Sequence, residues 1–152
     1  MRFEQTQEIL NHISSFHSSL SGCYQHLADE AVRERTKLLL DYLAQREHEL
    51  AGAIQDFIRD AEPDILDTWF QFADESKLLE FSCPVIDENA DFSVDDIVRL
   101  AKEAHECLIS TFEEIIVNCE SPRVCDVFQK LAIQATNQWH ALVRDTVLLS
   151  DL

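Results

Sequence analysis

Apolar residues recur every three or four positions in four separate stretches of the chain. Residues 4–28 place Ile9, Ile13, Phe16, Leu20, Tyr24 and Leu27 on one stripe, and residues 31–59 do so with Val32, Leu39, Leu43, Leu50, Ile54 and Phe57. A third stripe runs from Val94 through Ile97, Ala101, Leu108, Phe112 and Ile115 to Cys119. A fourth runs from Val124 through Val127, Leu131, Ala135, Leu142 and Thr146 to Leu149. This spacing predicts four amphipathic helices. Ser93 followed by Asp95 and Asp96 reads as an N-cap with an acidic first turn, and Ser121-Pro122 as an N-cap with proline at the first helical position. Asp29-Glu30 marks the first interhelical turn, and Glu62-Pro63 ends the second helix.

Short links join the first helix to the second and the third to the fourth, and short links make antiparallel neighbours. The expected architecture is therefore a single all-α domain over residues 1–152, built as a four-helix bundle. It has one hairpin over 1–60, a crossover over 61–92 and a second hairpin over 93–150. The crossover carries Trp69, Phe70, Phe72 and Phe81, enough apolar mass to pack down, and Asp64 to Phe72 is expected to form a short helix. A shift from His48 to His140 also lays Leu39 on Leu131 and Leu50 on Leu142, which suggests an internal duplication. Gly22 and Gly52, the only two glycines, fall inside helices, where a close-packing point or kink is expected.

Charge and cysteine content narrow the partners. The formal net charge of −17 repels phosphates and anionic lipid, so neither nucleic acid nor membrane is an expected partner. No segment is apolar for long enough to span a bilayer, and no secretory signal follows Met1. Residues 60–96 carry twelve Asp and Glu against the single basic Lys77, which makes this stretch a solvated loop or a docking surface for a basic partner. Within it, the alternating oxygen-bearing residues Asp87, Asn89, Asp91, Ser93 and Asp95 match part of a calcium loop, but Phe92 stands where the turn demands glycine. The five cysteines form no Cys-x-x-Cys pair; free thiols in a reducing cytoplasm are expected, with Cys119 and Cys125 close enough in sequence to approach each other.

Tyr24-Gln-His-Leu27-Ala28 in the first helix and Leu43-Ala44-Gln-Arg-Glu47-His-Glu-Leu50-Ala51 in the second resemble the ferritin-like superfamily, nearest to rubrerythrin- and bacterioferritin-type bundles. The one-crossover topology points the same way. The resemblance implies a carboxylate on helix one and Glu-x-x-His on helix two, repeated on helices three and four, together holding two irons or manganeses that activate dioxygen or peroxide. Side-to-side pairing of such bundles implies a homodimer.

Helical phase decides how much of that ligand set this chain keeps. At about 100° per residue, His48 lies roughly 140° from Leu43 and Gln45 roughly 160°, so both face outward, whereas Glu47 lies roughly 40° away, inside the core sector. Leu50 then holds the histidine position and cannot bind a metal. On the fourth helix, His140 faces away from Leu131, and the core sector holds Ala135, Gln138 and Trp139. The first helix has no carboxylate between Glu8 and Asp29; its ligand level falls among Ile13, Ser14 and His17. On the third helix, Glu103 and Glu106 point outward, leaving His105. The candidate metal residues are thus Glu47, His105 and His17. They suffice for one Fe, Mn or Zn ion but not for the usual pair.

Nucleophilic motifs and phosphate loops are absent from the sequence. The first functional expectation is a non-enzymatic ferritin-like scaffold or interaction protein, without cofactor, that has lost the di-iron site. The second is a single-metal protein using Glu47, His105 and His17 in oxygen, peroxide or metal-homeostasis chemistry. The third is an acidic protein-binding module acting through residues 60–96.

Overall fold

The computed structural model describes residues 2–72, 81–84 and 92–150. Its elements in chain order are β1 (Arg2–Gln5), α1 (Thr6–Glu30), α2 (Glu34–Asp60), α3 (Pro63–Leu66), β2 (Trp69–Phe72), α4 (Val94–Asn118) and α5 (Pro122–Ser150). The protein is all-α apart from one two-stranded ribbon, and its four long helices match the four sequence stripes.

Local chemistry sets the boundaries. Proline occupies the first position of α3 and of α5, where its missing N–H costs no helical bond. Ser93 caps α4 in a full capping box: its hydroxyl accepts from the Asp96 N–H, and the Asp96 carboxylate accepts from the Ser93 N–H at 2.8 Å. These bonds hold the Asp96 carboxyl below its ordinary value of 3.8.

α1 packs most closely on α2, and α4 on α5. The α1–α2 seam is stitched by serine. Ser14 Oγ donates to the Ala51 carbonyl at 3.1 Å and, seven residues on, Ser21 Oγ donates to the Ala44 carbonyl, seven residues back, at 2.7 Å. Two turns separate the serines, so both lie on one face, and the small Ala44 and Ala51 let the backbones approach. One core joins all four long helices, with Leu27, Leu40, Ile97 and Phe128 among its fully buried side chains.

Several expectations change. The segment expected to be one short helix from Asp64 to Phe72 is helical only to Leu66; Trp69–Phe72 instead pairs antiparallel with Arg2–Gln5. Aromatic residues favour a pleated surface, and β1 supplies an edge to pair with. The N-terminal helix accordingly starts at Thr6, whose N–H and hydroxyl both donate to the Thr68 carbonyl. Val32 is not core: it lies in the turn between α1 and α2 and is 88 % exposed. Neither glycine marks close packing, since a Cβ added at Gly22 or Gly52 would meet nothing within 4 Å.

The largest correction concerns thiols. Cys23 on α1 and Cys83 in the crossover form a disulfide, with Cα atoms 5.6 Å apart, while Cys119 and Cys125 stay free. Phe81 packs edge-on against Phe16 nearby, so the crossover is fastened to α1 at both residues. The bridge spans 60 positions, and a loop of that length stabilises the fold by about 4 kcal/mol in the chain-entropy account. Spacing along the sequence carried no sign of this pairing, because it depends on how the crossover folds back. It also removes the free-thiol argument for a reducing compartment. Instead of bridging, Cys125 Sγ donates to the Cys119 carbonyl; burial first, then Cys125, pushes the Cys119 thiol up to about 12. The calcium-like string at Asp87, Asn89 and Asp91 lies outside the described residues. No helix among the described residues is long and apolar enough to cross a membrane.

The capping box makes a pH-dependent prediction. Ser93→Ala should cost about 1 kcal/mol at neutral pH, measured by urea unfolding. Because the folded Asp96 carboxyl sits below 3.8, its contribution is present above that pH and lost as pH falls through the lower folded value, so the mutant's deficit should narrow below it.

Candidate functional site

Three helices bring polar side chains together within the mainly apolar core. α1 brings His17 and Tyr24, α2 brings Arg46 and Glu47, and α4 brings His105. Together with Gln138 and Trp139 of α5, they line a small chamber of about 30 Å³. That is room for one or two waters.

Glu47 organises the chamber. It is 4 % exposed, and its Oε2 lies 2.5 Å from His17 Nδ1, itself on a side chain 6 % exposed. A carboxylate accepts, so His17 donates through Nδ1. Arg46 Nη2 stands 3.6 Å from the other carboxylate oxygen. Each Glu47 oxygen therefore faces a cationic or donating group, which is what a buried carboxylate requires. The Tyr24 hydroxyl sits beside this pair. Burial, and after it the Glu47 charge, holds the phenol well above its ordinary value, so it stays protonated and can only donate or accept as a neutral hydroxyl.

All three sequence candidates border the same chamber, but they do not converge on a common point. His17 bonds Glu47 directly. His105 is half-buried and stacks instead on Trp139, with ring centroids 5.6 Å apart and planes 13° from parallel. Burial lowers its pKa, Glu106 opposes the shift and His140 adds to it. Among the described residues no group of three His, Cys, Asp or Glu is placed to hold a metal ion. The fit to a ferritin-type metal centre is therefore poor on chemistry as well as count. Arg46 places a fixed cation against Glu47, the one carboxylate among the described residues of the chamber, and the α5 wall offers a neutral amide and an indole.

The outward residues lie where helical phase puts them: Gln45, His48, Glu103, Glu106 and His140 are all exposed. Sequence reasoning set Glu47 in the core sector but did not show that His17 and Arg46 reach its carboxylate. It placed Tyr24 on the core stripe without a polar role. The acidic crossover is partly spent inside the protein. Glu62 accepts from Arg123 at 2.9 Å and Asp64 bonds the same guanidinium, which holds the Glu62 carboxyl below its usual range.

A second, larger space opens beside the chamber. A cavity of about 730 Å³ runs between α2 and α5, floored by Leu10 and His17 of α1 and by Phe112 of α4. Its walls are mainly apolar, including Ile54, Phe57, Val127 and Leu131. His17, Ala135 and Gln138 border both spaces, so the cavity's inner end abuts the chamber.

Comparison with family models, with curated proteins and with solved structures gives no match.

Removing one partner from the buried pair should be costly. Glu47→Leu should lower unfolding stability by about 3–5 kcal/mol, since it strands Arg46 and His17. Glu47→Gln, which keeps a hydrogen-bond acceptor for His17, should cost less. Chemical denaturation of both variants checks the order.

Proposed function

We propose that this chain is a ferritin-like four-helix bundle, two antiparallel hairpins joined by the crossover, that has lost the di-metal site and serves as a non-enzymatic scaffold or interaction protein. The observation that supports this most is the state of Glu47: its carboxylate is engaged by His17 at 2.5 Å and faces Arg46 at 3.6 Å. A metal would have to displace both. The homodimer belongs to the same proposal, since it rests on the same resemblance.

The single-ion alternative draws on one fact, that Glu47, His105 and His17 border one chamber. It requires His17 to turn from Glu47 and His105 to leave Trp139. The acidic-module reading is weakened within the described residues, because Glu62 and Asp64 engage Arg123 and Asp96 caps α4.

Metal analysis separates these readings. Protein purified without chelator, and again after anaerobic loading with Fe²⁺, Mn²⁺ or Zn²⁺, should carry far less than one equivalent of metal. Near-stoichiometric metal that disappears in Glu47→Ala would replace the scaffold reading with the single-ion one.

A further inference from the structure

The middle of α5 is under-packed. From Gln129 to Ala141 no residue is fully buried, although the stretch includes Leu131, Ala132, Ala135 and Trp139, all facing the core cluster. Phe128 before it and Leu142 after it are fully enclosed. The gap is the 730 Å³ cavity, a size typical of small-molecule sites. Apolar side chains that border such a space gain from a partner that removes them from water.

The inner end of the cavity carries unspent donors. Tyr24 is 1 % exposed, and its neutral hydroxyl lies at the chamber beside Glu47 and Arg46. The Arg46 Nε–H is buried without an acceptor. Gln138 of α5 adds an amide where the two spaces meet. The one carboxylate present, Glu47, is already engaged by His17 and Arg46. What the group lacks is an acceptor. The cations at the outer rim do not compete for it: Arg123 is held by Glu62 and Asp64, and Lys130 by Asp126 at 2.9 Å.

We propose that the α2–α5 cavity binds a medium-chain carboxylate, its apolar chain along Ile54, Phe57 and Leu131 and its head at Tyr24, Arg46 and Gln138. Chain length follows from the helices. Leu50 to Phe57 spans about 10 Å of α2, which suits a chain of medium length rather than a long one. Head chemistry follows from the chamber. A carboxylate supplies the missing acceptor atoms with a single charge, whereas a phosphate dianion would be too large for 30 Å³ and would set twice the charge against Glu47. The proposal rests on the chamber being free of metal, as the preceding reading holds.

Calorimetric titration with decanoate, decanol and acetate, on protein of measured metal content, tests it. Decanoate should bind one to one and at least tenfold more tightly than decanol, with acetate showing no saturable binding. Tyr24→Phe should weaken decanoate by about tenfold, the size of one hydrogen bond to a charged acceptor, and leave decanol unchanged. Ala135→Trp, which fills the junction of the two spaces, should abolish both. Equal affinity for decanoate and decanol, or a Tyr24→Phe variant that binds decanoate as the parent does, would overturn the assignment of the head site. No binding of either by metal-free protein would overturn the proposal and leave the scaffold reading standing. Stoichiometric metal would overturn both. A variant of Ala135 that fails to fold does not decide the matter, because the Tyr24→Phe comparison and the decanol control carry it alone.

Discussion

A carboxylate buried among leucines must be compensated, and Glu47 is that carboxylate. Helical phase puts it in the core sector of α2, and no rotation of α2 could expose it without exposing Leu43 and Leu40 as well. Its neighbours are arranged accordingly. His17 donates from α1, Arg46 lies alongside on α2, and Tyr24 stays a neutral hydroxyl beside them. The charge of Glu47 is thus offset by side chains drawn from two helices.

The same constraint shapes packing around it. α1 and α2 are drawn together by the serine–carbonyl bonds on either side of the His17–Glu47 contact, so their seam is tight. Among the described residues α5 shows no equivalent polar tie to α2 at this level. Its inward face offers Ala135 and Gln138, and what remains between the helices is the cavity. A close seam on one side and an open one on the other are thus two results of placing the compensating groups on α1 rather than on α5. The disulfide and Phe81 fasten residues 81–84 to α1.

The long elements and the inward direction of Glu47 were legible in the sequence because both follow from one helix's periodicity. The His17–Glu47 contact was legible in principle. With the turn centred on Val32, residues 17 and 47 lie at equal distances along the chain from it, so a short turn there sets them level with each other. Phase within a single helix does not show it, because the contact depends on how two helices pair. Nothing in local pattern could reveal the Cys23–Cys83 bridge or the β1–β2 pairing, since each joins segments about sixty to seventy residues apart. The stacking of His105 on Trp139 likewise depends on how α4 meets α5, which neither stripe encodes.

The central claim is that His17 and Glu47 satisfy each other. A double-mutant cycle built from His17→Phe, Glu47→Leu and their combination, followed by chemical denaturation of metal-free protein, tests it most directly. The account predicts that the double variant is less destabilised than the sum of the single ones, with a coupling energy above about 1.5 kcal/mol. Additivity to within about 0.5 kcal/mol would contradict it, and would mean that Glu47 owes its place in the core to something other than His17.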